Sequence, residues 1–325
     1  MSSRLHAASR FAAITLLGCT ALAGCQDCNK GGATASDAGA GGAAPPTDSS
    51  ASLTPIVLEA GTLNATPLPT ASVAAMVNRD NLPPYAGPTG SVEGNITVIG
   101  DPAKETPADF SRCPDAENTF GRAFREGARD PVATNNARPL ADAIVVVTGH
   151  NVAGHKASYV PEKNEAKEVR IEKCAPVERS ATLTFGQRIE VKNLTNEFWT
   201  PVLEPGQNLV LIMATPHGDP AKLYPKKPGH FLLADRDRKY ATVDVYVFLH
   251  SLHTSSALTG YYRIDGIPVG KQKVSAMHPQ IDAAAEQEIT ISPGVVHKVD
   301  LVLKNVNREA GAPEAGLDAG YQPLR

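Results

Sequence analysis

Between residues 89 and 305 apolar and polar positions exchange at short range. "SVEGNITVIG" from Ser91, "EVRIEK" from Glu168, "ATLTFGQRIEVKN" from Ala181 and "TVDVYVFL" from Thr242 set branched or aromatic side chains against polar ones. "DAIVVVTG", "NLVLIMA", "HFLLAD", "YYRIDG", "KQKVSAM", "EQEITIS" and "VVHKVDLVL" complete the series. Each run is short, rich in Val, Ile, Thr or Tyr, and bounded by Gly, Pro, Asn or Asp, which predicts β-strands. An apolar stripe at helical spacing is not sustained over three turns anywhere in this region; "DAENTFGRAFREGA" from Asp115 predicts one short helix. Many short strands in about 215 residues predict an all-β architecture of packed sandwiches.

The flanks differ in composition. Arg4 and Arg10 precede the apolar run "FAAITLLGCTALAGC", too short for a spanning helix, which ends on "LAGC". This resembles a bacterial lipobox, and the resemblance implies a signal peptide over 1–24 and a lipid on Cys25. Gln26 in place of Asp implies the outer membrane. Residues 25–88 are rich in Ala, Gly, Pro and Thr, too poor in large apolar groups to offset the entropy of ordering, and predict a disordered tether. A second disordered stretch is expected over 306–325. Export implies an oxidising compartment, where Cys113 and Cys174, the two cysteines inside the folded region, are expected to pair. A net charge of −3 on 325 residues gives no reason to expect a nucleic-acid partner.

Two family likenesses organise the centre. "TGYYRIDGIPVGKQKV" resembles the carboxypeptidase regulatory-like, or transthyretin-like, sandwich: Gly260, Tyr262, Ile264, Gly266, Ile267, Pro268, Gly270 and Val274 fit, while Gln272 stands where an aromatic is usual. "GSVEGNITV" and "PLADAIVVVTG" then supply its opening strands, so this domain spans 89–149 plus 251–305. The insertion, 150–250, resembles a cupredoxin-like domain of the plastocyanin and methylamine-utilisation type through Gly186, Ile189, Val191, Asn193, Pro228, Gly229 and Phe231. The implied fold is two interleaved β-sandwiches.

That resemblance assigns the copper ligands to positions that hold Trp199, Asp235, Arg238 and Ala241. A blue-copper centre needs imidazoles and a thiolate, and a guanidinium has no lone pair to offer. The charged cluster in "HFLLADRDRKYATVDVYVFLHSLH" is therefore expected to be an exposed turn with Asp235 and Arg238 paired. A metal alternative rests on His250, His253 and His278 converging on Zn²⁺ or Cu²⁺, although the three-residue spacing of the first two puts them on opposite faces of a strand. Trp199, the sole tryptophan, is a candidate platform for a sugar or a protein partner, although an aromatic that fills the space a metal would have used is the favoured reading.

No nucleophile elbow, phosphate loop, zinc-protease helix or dinucleotide fingerprint occurs in the sequence. The expectation is a lipid-anchored cell-envelope protein, not an enzyme and without a cofactor. It would act as a binding or structural module toward an envelope protein or glycan. Its alternatives are a divergent copper- or zinc-binding cupredoxin and a carbohydrate-binding module.

Overall fold

The computed structural model describes residues 65–128, 136–149, 160–161, 165–206 and 211–307. The expected signal peptide and Cys25 lie outside them, as do most of the expected tether and all but the first two residues of the expected 306–325 tail. Strands are the dominant regular structure of the described chain, beside two short helices.

One sandwich combines β1 (Thr89–Gly100), β2 (Arg138–Pro139), β13 (Tyr261–Pro268), β16 (Val296–Lys298) and β17 (Leu301–Asn305) in its first sheet. Its second sheet has the order β12 (His253–Ser255), β3 (Ile144–Gly149), β14 (Gly270–His278), β15 (Ile281–Ile291). β1 runs antiparallel to β13 and parallel to β16 and β17. Val92, Ile96 and Val98 point inward from β1 and meet Val145, Val147, Val274 and Tyr262, all nearly water-free. Burying each such side chain contributes roughly 1.5–3 kcal/mol. Gly94 is required on β1, because a Cβ there would stand 1.8 Å from the Val299 carbonyl oxygen.

The second sandwich lies between β3 and β12 in the chain. Its sheets are β6 (Ser180–Thr184), β11 (Thr242–Phe248), β10 (Gly229–Asp235), β8 (Pro201–Glu204), and β5 (Ala175–Pro176), β4 (Ala166–Glu172), β7 (Arg188–Asn193), β9 (Ala221–Leu223). Ile189, Val191, Leu203, Phe231, Val243 and Val245 fill the space between them.

Three expectations change. The tether ends earlier than residue 88, since α1 (Thr70–Val77) seats Val73 and Val77 in the inserted core. Gly186 accommodates it: its φ is +106°, and a Cβ there would meet Val73 at 2.5 Å. The segment 89–149 does not serve one sandwich alone, because α2 (Pro114–Phe120) buries Ala116 and Phe120 in the inserted core. The described part of the "NLVLIMA" run is not a strand. Ala214 makes one isolated bridge to Trp199, while its carbonyl also accepts from the Asn193 amide at 2.9 Å, and Leu211 and Met213 face water.

Candidate functional site

The positions that the cupredoxin resemblance assigns to metal ligands do come together, at one end of the inserted sandwich. β10 and β11 form an antiparallel hairpin whose turn is "DRDRK", the turn expected from the sequence. Its pivot, Asp235, is not exposed: its side chain is 1% accessible and that of Arg238 21%. The carboxylate accepts the backbone N–H of Thr200 at 3.0 Å, of Asp237 at 2.8 Å and of Arg238 at 2.9 Å. One oxygen thus holds the turn while the other fixes the strand entering from Trp199. The Arg238 guanidinium lies 3.7 Å from Asp235, bonds Glu197, and sits 5.4 Å from the centroid of the Trp199 ring. Ala241 below is fully buried.

Chemically this cluster is closed. Arg238 offers only donors, Trp199 only an N–H, and both Asp235 oxygens are engaged. Trp199 is 2% exposed, so it is not a platform for a ligand but the core-filling aromatic that the sequence favoured: the indole fills the end of the core, and its N–H has no partner among the described residues. The exposed apolar groups here are its neighbours Phe198 and Met213.

The three histidines do not converge. The expected opposite-face placement of His250 and His253 fails because the chain turns between β11 and β12, and their rings lie 6.2 Å apart, both against Phe248. His250 Nδ1 accepts the Leu252 N–H at 3.2 Å, and His253 Nε2 meets the Thr184 hydroxyl at 3.1 Å. His278 ends β14 in the other sandwich, edge-on to Phe124, its Nδ1 accepting the Gln280 N–H at 3.1 Å. Burial pushes both His253 and His278 down to about 4, so both imidazoles are neutral at neutral pH. Among the described residues, no three of His, Cys, Asp and Glu gather as a metal set.

The strongest polar feature between the sandwiches was not singled out from the sequence. Arg125 clamps Asp142 with two hydrogen bonds of 2.6 Å and donates to the Val177 carbonyl at 3.0 Å. Asp142 also accepts the Arg179 N–H at 3.1 Å. One buried ion pair therefore ties the start of β3 to the segment entering β6. The lone acid in "PLADAIVVV" was the available signal, since an unpaired carboxylate is not tolerated in such a run. Nearby, Cys113 and Cys174 form a disulfide that fastens α2 to the turn after β4. On the outer face of β10 and β11, His230, Tyr246, Phe248 and His253 form a row of near-parallel rings, with His230 bonded to Asp244 at 2.7 Å.

No protein family and no curated protein matches the chain. Amicyanin from Paracoccus versutus is 15% identical over 27% of this chain and 84% of its own, with a TM-score of 0.22. A reduced copper(I) form of an amicyanin variant gives 13%, 27%, 85% and 0.23. A shaft pilin of Lactobacillus rhamnosus GG is 12% identical over 68% of this chain and 100% of its own, with a TM-score of 0.15. The amicyanins are thus weakly similar, over a small part of the chain.

Proposed function

We propose that this chain is a lipid-anchored cell-envelope protein that acts as a non-catalytic binding or structural module. In this reading a carboxypeptidase regulatory-like sandwich carries a cupredoxin-like insertion whose ligand positions have changed use. The observation that carries it is the Asp235 cluster. Three backbone N–H groups occupy the carboxylate, and a guanidinium covers an indole, where the resemblance places imidazole and thiolate. Those groups brace loops: the guanidinium and the indole N–H offer an ion no lone pair, and both oxygens of the carboxylate already hold backbone N–H groups.

Phe198, 57% exposed, and Met213, 45% exposed, flank the cluster and give a partner apolar surface beside the charged rim of Glu197 and Arg238. Cys25 supplies the anchor. A photo-crosslinking residue at Phe198 or Met213 in intact cells is expected to give one discrete envelope adduct, and at Thr97, on the other sandwich, none. Fatty-acid labelling is expected to be lost in Cys25→Ala. Labelling that survives this change contradicts the anchor; the same adducts from all three sites contradict a specific module.

A further inference from the structure

We propose that the junction between the two sandwiches is an acid-operated latch, with His253 and His278 as its proton acceptors. The chain returns from the inserted sandwich to the outer one through residues 249–252, and His253 is the first residue of β12 after that crossing. The Thr184 hydroxyl donates to the His250 carbonyl at 3.2 Å. It is therefore the acceptor toward His253, whose Nε2 carries the proton. That leaves His253 Nδ1 as a bare acceptor, enclosed and with no hydrogen-bond partner among the described residues. The ring is faced by Lys167 on β4, which opposes a positive charge on it, and by the His250 imidazole, whose centroid lies 6.2 Å away.

His278 is at the same junction from the other side. Its Nδ1 accepts the Gln280 N–H, so a proton on that nitrogen would turn an acceptor into a donor pointed at a donor. Asp142 and Asp244 favour the cation there, while Arg179 and Arg125 oppose it. Those four groups include the clamp itself: Arg125 holds Asp142 and Val177, and Asp142 holds the Arg179 backbone. An imidazolium at His278 would add a third cation beside two guanidiniums and two carboxylates.

Burial costs the charged form most at both rings and brings each to about 4, below the 6.5 of a free imidazole. An opened junction binds protons more readily than a closed one. The closed state is thus favoured above pH 6.5, and that preference is lost as pH falls toward 4. Val98 and Val191, by contrast, are fully buried in the apolar cores of the outer and the inserted sandwich.

Amide hydrogen exchange on the full chain at pH 7 and pH 4.5 tests this. Protection at Arg179 and Gln280 is expected to fall by more than about tenfold at pH 4.5, while Val98 and Val191, on strands that pair with neither β12 nor β14, keep theirs. His253→Gln with His278→Gln, which keeps neutral acceptors, is expected to retain junction protection at pH 4.5. Unchanged junction protection in the parent, or loss in both cores together, overturns the latch. So does equal loss in the double variant. If that variant does not fold, imidazole NMR titration of the parent decides: both rings titrating near 6.5 in the folded chain would overturn it, and both near 4 would support it.

Discussion

The two sandwiches spend their polar groups differently. The outer one is held by long strands: β1 runs 12 residues and β15 runs 11, with strict alternation along β1. Its charges lie mostly on open faces, as where Arg263 meets Glu93 and Lys273 meets Glu286. The inserted sandwich has shorter strands and closes its ends with buried or half-buried polar cross-links. Asp235 fixes the hairpin turn, Asn193 donates to the Glu197 and Ala214 carbonyls, and a disulfide fastens α2. Surface pairs of the first kind contribute about 0–1 kcal/mol, whereas removing a buried partner costs several. The difference teaches where each half is vulnerable: the outer sandwich through its apolar faces, the inserted one through a few polar residues.

The sole tryptophan is in the inserted sandwich, so its emission follows that half alone. The largest expected effect is loss of the disulfide. For a sequence separation of 61, Cys113→Ser with Cys174→Ser is expected to cost about 4 kcal/mol. Tryptophan emission should register this in denaturant before exchange at Val145 does. Asp142→Asn comes next, at roughly 3 kcal/mol, because it leaves Arg125 buried without its counter-charge. As this clamp belongs to both halves, both probes should shift together in a urea titration.

Acid follows. His253 and His278 have depressed values in the folded chain, so their contribution is complete above pH 6.5 and declines as pH falls toward 4. By pH 5 each is expected to have lost about 2 kcal/mol, measured as a falling denaturation midpoint. The smallest effect is Arg238→Ala. It removes a largely buried cation from the Trp199 face, at about 1 kcal/mol. It should open the indole to acrylamide quenching while leaving the outer sandwich unchanged.

Much of the fold was legible because alternation marks a face. Tyr261 and Tyr262 illustrate this: neighbours in sequence, one 43% exposed and one 2%, on opposite sides of β13. The "DRDRK" turn was legible too, because five charges between two apolar runs have nowhere to go but a hairpin tip. What composition hid was burial. α1 was absorbed into an Ala-, Pro- and Thr-rich stretch, and only Val73 and Val77 betray it once the surface they cover is known. "NLVLIMA" reads as a strand by hydropathy alone, yet the Asn193 side chain bonds the Ala214 carbonyl and Leu211 stays in water. The depth of Asp235 was not readable either. Burial at a sandwich end depends on loops that meet from distant parts of the chain.

The central claim is that the end of the inserted sandwich is closed by its own side chains rather than built around an ion. Calorimetric titration of the full chain with copper(I), copper(II) and zinc, with Trp199 emission followed in parallel, tests it most directly. The account predicts no stoichiometric uptake and no change in emission. One equivalent bound with micromolar or tighter affinity, with Trp199 quenched and both effects lost in Asp235→Ala, would contradict it.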